Sequence, residues 1–263
     1  MSGNFVRMML KRMKELEGAR LEALDGEIGR LRDFCFDDRT WAVRYVVVEV
    51  GLWPKERLIV ISPAQGVKLT MSGRVQVALT KRQIRVSPSI DADKPVSLQF
   101  QAEYYEHSNW PAYRDRPCLW GPVPRRGPSG YRLSERSIAS PHLEAGDPHL
   151  RSANEVSRYS IQALDHKIGH LEDFILDPEG WVVRYLVADI RSWFPGKRVL
   201  LPSLWISWIS WPESKVYADL DRESIKHAPE YKPSARITRE YETDLFGHYG
   251  REPYWAHDSN TPA

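Results

Sequence analysis

Residues 28–50, IGRLRDFCFDDRTWAVRYVVVEV, return 140 positions later as residues 168–190, IGHLEDFILDPEGWVVRYLVADI, with no gap between the two versions. From Ala23 to Val50 against Ala163 to Ile190, 14 of 28 positions are identical, which only duplication of a structural unit explains. The likeness runs on. With one residue inserted near Trp193 the offset becomes 141, pairing Leu58–Val60 with Val199–Leu201, Val75 with Val216, Leu79 with Leu220, Ile84 with Ile225 and Pro88 with Pro229. Further along, His107 meets His248 and Tyr113 meets Tyr254, so each unit has a body and a trailing arm rich in Tyr, His and Pro.

Period two dominates the bodies. Trp41, Val43, Tyr45 and Val47 fall on one face of a strand, and Trp181, Val183, Tyr185 and Val187 repeat the pattern. The β-branched and aromatic content favours strands. Before each run stands a turn, DDRT or DPEG, in which Asp177, Pro178 and Gly180 supply a side-chain cap, a fixed φ and a permissive φ. Gly29 and Gly169 suit a bulge or a close backbone approach. Each body closes on a polar segment, TKRQIRVSP or DRESIKHAP, where Thr80 or Asp221 caps one or two helical turns ahead of a proline.

These patterns divide the chain into an N-terminal helical segment (1–18), a first repeat (19–95), a Tyr-rich arm (96–114), a linker (115–152), a second repeat (153–233) and a Tyr/His-rich C-terminal arm (234–263). Residues 115–158 hold ten Pro or Gly in 44 positions, too little apolar surface to offset ordering entropy. The segment Phe5–Leu16 carries apolar residues at helical spacing among basic ones. At 263 residues each half is expected to close its own core. The fold class read from these elements is mainly β: two tandem small β-barrels with short helical segments and a Pro/Gly-rich linker.

The pattern Asp25-x-x-Ile28-Gly29, then Asp33-Phe34, the Asp37 turn, Trp41 and Arg44-Tyr45, matched by Asp165-x-x-Ile168-Gly169, Asp173-Phe174, Asp177, Trp181 and Arg184-Tyr185, resembles the PRC-barrel family. That family is named after the cytoplasmic domain of the photosynthetic reaction centre H subunit. The resemblance covers both repeats and implies two PRC-type barrels and a habit of binding macromolecules rather than a reaction.

Composition narrows the function classes. With 37 basic and 35 acidic residues the net charge is +2, so bulk electrostatic capture of nucleic acid or anionic membrane is not implied. Two cysteines, Cys35 and Cys118, make no disulfide framework, and Ile175 replaces Cys35 in the second copy. No stretch approaches a transmembrane segment, and a cytoplasmic location is expected.

Candidate chemistry centres on matched charges. Asp33 and Asp173 invite a catalytic reading, but pairing with Arg44 and Arg184 across each hairpin is the structural expectation, while Asp37 and Asp177 cap turns. His166 and His170 have metal-ligand spacing but fall at a turn, and Gly26 and Arg30 stand there in the first copy. No catalytic residue, metal ligand or cofactor site is assigned. Trp205, Trp208 and Trp211 of LWISWISW stand against Ala64, Val67 and Thr70 at offset 141; on one strand Trp208 points away from the other two, leaving at least one exposed for partner contact. The expected function is a non-catalytic adaptor or scaffold binding a protein partner or itself, with a homodimer possible. An RNA- or ribosome-associated maturation factor and a small-ligand binder are the alternatives.

Overall fold

The computed structural model describes residues 9–51, 56–70, 72–87, 89–90, 149–190 and 197–256. The first Tyr-rich arm, most of the linker, Cys118, His107 and the Phe5 end of the N-terminal segment lie outside these described residues. In chain order the strands are β1 (Lys11–Arg12), β2 (Arg20–Ala23), β3 (Gly26–Asp37), β4 (Val43–Val50), β5 (Arg57–Ile61), β6 (Lys68–Leu69), β7 (Val75–Gln76) and β8 (Ser89–Ile90) in the first half. The second half adds β9 (Leu150–Ser152), β10 (Ser160–Gln162), β11 (Lys167–Asp177), β12 (Val182–Asp189), β13 (Arg198–Pro202), β14 (Ile206–Ser210) and β15 (Lys215–Ala218). Helices are short, as the sequence requires, and Thr80 and Asp221 cap two of them by accepting the Gln83 and Ser224 amides.

The protein is mainly β. One sheet runs β6-β7-β2-β3-β4-β5-β8 with β9 added on β3, and the other runs β13-β12-β11-β10-β15-β14 with β1 added on β11. Among the described residues neither path returns to its first strand. The sheets are therefore open, where closed or partly closed barrels were expected.

The two added strands change the picture of separate halves. Lys11 and Arg12 pair with Leu176 and Ile175 of the second half, while Arg151 and Ser152 pair with Phe36 and Cys35 of the first. Each of these pairings becomes the other on adding or subtracting 140. The halves thus exchange their leading segments reciprocally, about an approximate two-fold axis. Behind each added strand comes one helical turn, Met13–Leu16 or Ala153–Val156, whose apolar residues Met13, Leu16, Ala153 and Val156 are buried. Strand at Lys11–Arg12 replaces the helix expected there, and Leu150–Ser152 extends the fold into the expected linker.

The hairpin tips complete the seam. Val43 N donates to Trp181 O at 2.7 Å, Val183 N donates to Trp41 O at 2.8 Å, and Ala42 bridges Val182. To aim these carbonyls across, Trp41 and Trp181 take φ of 60° and 49°, a left-handed conformation costly for a residue with a Cβ. Gly180, expected to supply the permissive φ, is not among the residues with positive φ. Phe36 meets Phe174 with ring centroids 5.1 Å apart, and the main core is one continuous cluster drawn from both halves. The halves share a core rather than closing two.

Strand pairing also corrects the repeat alignment. Val47 lies opposite Val60 and Val187 opposite Leu200, so the offset is still 140 in β5 and β13. It remains 140 where Leu69 faces Val75 and Ile209 faces Val216, because the residue added in the second copy falls in the β14–β15 turn and shifts only the positions downstream of that turn. Leu58–Val60 therefore match Arg198–Leu200, not Val199–Leu201.

Gly29 and Gly169 make the close approach expected of them. A Cβ on either would lie 2.1 Å from the main-chain oxygen of Glu49 or Asp189 on the neighbouring strand. Gly169→Ala is expected to lower stability by roughly 3 kcal/mol in urea unfolding, since backbone rather than a flexible side chain must move. A chain cut at a protease site inserted within 115–148 is expected to run as one particle of unchanged mass in size-exclusion chromatography with light scattering, because the exchanged segments hold the halves without the covalent link.

Candidate functional site

The matched acids sit at the seam. Asp173 accepts Arg12 Nε at 2.9 Å, the Lys14 amide at 3.2 Å and its neighbour's Phe174 amide at 2.8 Å. Asp33 accepts Ser152 Oγ at 2.5 Å, the Asn154 amide at 3.1 Å and the Phe34 amide at 2.7 Å. In each copy the carboxylate receives the start of the other half's helical turn, a free N–H donor that a carboxylate satisfies well. Burial pushes Asp33 up to about 6 against the hydrogen bonds it accepts, and burial likewise raises Asp173 despite Arg12.

The expected pairs Asp33–Arg44 and Asp173–Arg184 do not form. Asp33 lies opposite Val47 and Asp173 opposite Val187, three residues along the strand from the arginines. Arg44 Nη2 instead reaches Asp37 at 3.4 Å, and Arg184 reaches Asp177 through Nε at 3.0 Å and Nη2 at 2.9 Å. Asp37 also caps its turn through the Arg39 and Thr40 amides. Burial pushes that carboxyl up, but those amides and the Arg44 guanidinium outweigh it and hold the group below the usual carboxylate range. The second half repeats the cap with Asp177 and the Glu179 and Gly180 amides. One further seam contact has no twin. Asp38 accepts Arg151 Nε at 2.7 Å and lies 2.8 Å from His149 Nδ1, whereas Pro178 occupies its place in the second copy.

The three tryptophans part company. Trp205 belongs to a short 3₁₀ turn, Ser203–Trp205, and is 6% exposed. It lies under the C-terminal arm, edge-on to Phe246 at 5.2 Å and Tyr249 at 5.0 Å. The helix Arg239–His248 that carries Phe246 also buries Glu242. That carboxylate accepts Tyr185 Oη at 2.6 Å and Tyr254 Oη at 2.9 Å and pairs with Arg239 at 2.9 Å. Arg184 stacks over the Tyr254 ring at 4.3 Å, fastening the arm to the second half. Trp208 and Trp211 are 51% and 41% exposed. Trp208 stacks on Tyr217 of β15, with ring centroids 4.4 Å apart and planes inclined by 9°. The assignment of Trp205 and Trp211 to one strand face fails because Trp205 lies in the 3₁₀ turn before β14 and Trp211 in the turn after it, and the strand register shifts between Ile206 and Trp208.

Registration of the strands changes what the tryptophans replace. Lys68 stands opposite Gln76 as Trp208 stands opposite Tyr217. Ala78 N donates to Gln65 O where Asp219 N donates to Trp205 O. The counterparts of Trp205 and Trp208 are thus Gln65 and Lys68, not Ala64 and Val67.

His166 lies 3.2 Å from Asp165 and His170 lies 3.6 Å from Asp189, on separate acids. No group of three potential metal ligands occurs among the described residues. A recess at the seam is lined by Lys14, Arg32, Asp33, Asn154 and Asp173, with enclosed space of the order of a single water molecule. Among the described residues no helix is long and apolar enough to cross a membrane.

Ser152, Asn154 and Arg12 were missed as partners of the matched acids because the repeat comparison began downstream of them. Extending it upstream places MKEL over ANEV, the available signal. Glu242 gave none, since its buried position depends on how the arm docks.

No family model matches the chain. A protein of Deinococcus radiodurans described as an uncharacterized protein is 32% identical to it over 114 residues, which cover 41% of this chain and 40% of the relative. The chain thus spans less than half the length of that relative.

The raised Asp33 group sets a pH signature. An acid with a folded-state value near 6 and an ordinary unfolded value stabilises the fold while protonated. Its contribution is complete below about pH 4, declines as pH rises and is gone above about pH 6. Asp33→Asn is expected to remove this component, so that the stability difference between wild type and variant, followed by urea unfolding from pH 4 to 8, moves against the wild type by roughly 2 kcal/mol.

Proposed function

We propose that the chain is a non-catalytic scaffold of two PRC-type units that binds a protein partner, or a second copy of itself, in the cytoplasm. The observation that carries this reading is the aromatic strip of the second half: Trp208 stacked on Tyr217, with Trp211 and Leu204 also exposed within the stretch Ser203–Trp211. Exposed tryptophan beside apolar surface is the chemistry of an interaction hot spot, and the first half has Lys68 and Gln76 at the corresponding pair. The matched acids are engaged in receiving the exchanged segments and capping turns, structural tasks that account for their recurrence without a reaction. The seam recess is too small to support the small-ligand alternative.

Crosslinking in the native cell followed by purification is expected to recover a stoichiometric protein partner or a homodimer. Changing Trp208→Ala together with Trp211→Ala should reduce the yield about tenfold or more with the unfolding midpoint nearly unchanged, because both side chains contribute mainly to the surface. Isolation of the wild type as a free monomer from crosslinked cells contradicts the proposal.

A further inference from the structure

The strip lies on an unusual edge. β14 ends the strand path of its sheet and pairs only with β15 among the described residues. Ser160 N donates to Ser214 O and Asp219 N donates to Trp205 O, so Val216 turns its main chain to β10 while Lys215 and Tyr217 turn theirs to Ser210 and Trp208 of β14. The period-two alternation of the ladder therefore leaves the main-chain groups of Ile209 facing outward. Such an edge invites another strand, and natural sheets commonly block it with charge, proline or shortness.

The two halves treat this edge differently. In the first, the equivalent strand β6 has two residues, and its exposed Lys68 stands opposite Gln76. In the second, β14 has five residues, and Ser203–Trp211 contains no charged side chain and no proline. Pro202 and Pro212 bound the stretch without interrupting it. The guarding lysine has been replaced by Trp208, half of whose surface remains in water.

We propose that β14 is the pairing edge for β14 of a second copy of this chain, the strands running antiparallel about a two-fold axis at Ile209. This rests on the scaffold reading above and names its partner. The register is self-complementary: Ile209, which carries the outward-facing main-chain groups, lies opposite Ile209 of the other copy, and Trp208 of each copy lies opposite Ser210 of the other. A two-fold axis brings like side chains from the two copies close together, so an uncharged strand is the kind that can meet itself, whereas a lysine edge meets its own charge. Addition at this edge extends the seven-stranded sheet across both copies and covers the exposed part of Trp208.

Sedimentation equilibrium of the purified full chain from about 1 to about 100 µM is expected to show a monomer–dimer equilibrium. Trp208→Lys, which restores the residue of the first half, should weaken it about tenfold or more. Hydrogen exchange provides the second readout: the Ile209 amide should gain protection as concentration rises, and the Leu69 amide should not. A chain that stays monomeric throughout overturns the second-copy proposal, as does a dimer in which the Ile209 amide gains no protection or which Trp208→Lys leaves intact. A purified monomer together with a stoichiometric different protein recovered from crosslinked cells would overturn this inference alone and leave the scaffold reading standing.

Discussion

The reciprocal exchange of leading segments is the constraint on which the rest of the structure depends. Arg12 lies against Ile175 and Ser152 against Cys35, so neither long strand is complete without the other half. Strand addition satisfies main-chain groups that would otherwise be left at an edge, and the helical turn behind it carries apolar side chains into a core common to both halves. Stability gained this way is cooperative. The left-handed Trp41 and Trp181, with their carbonyls accepting amides from the opposite hairpin, are held by the same seam.

The recurring acids belong to that seam. A carboxylate at the start of an incoming helical turn accepts amides that have no partner within the turn, and Asp33 and Asp173 do this for opposite halves. Their surroundings have since diverged. Arg12 gives Asp173 a cation, whereas the matching Ser152 gives Asp33 only a hydroxyl. Two copies of one acid can thus keep one geometric task under different electrostatics, and a raised ionisation range reflects burial as well as it would reflect catalysis.

Divergence elsewhere falls mainly at boundaries. The C-terminal arm buries Glu242 and roofs Trp205, a residue whose counterpart is the polar Gln65. At the open sheet edge, Lys68 gives way to Trp208. The interior kept its apolar character: Val46, Val48, Ile59 and Ile61 in one half and Leu186, Ala188, Val199 and Leu201 in the other are all buried. Replacement there is limited by packing, whereas an edge is free to acquire a partner.

The amino-acid sequence by itself determined the duplication, the strand-rich bodies, the Asp-led turns, the close-approach glycines and the short capped helices. Each rests on local conformational preference or on a periodicity visible within a few residues. Only the tertiary structure decided which half receives Lys11–Arg12 and Leu150–Ser152, why Asp33 reaches Ser152 rather than Arg44, and which tryptophan is covered. Those outcomes join residues more than a hundred positions apart, or turn on a bulge or an added turn residue that shifts strand register by one. Two homologous halves also offer similar surfaces to a leading segment, so local pattern is silent on which one it joins, and geometry across the seam makes the choice.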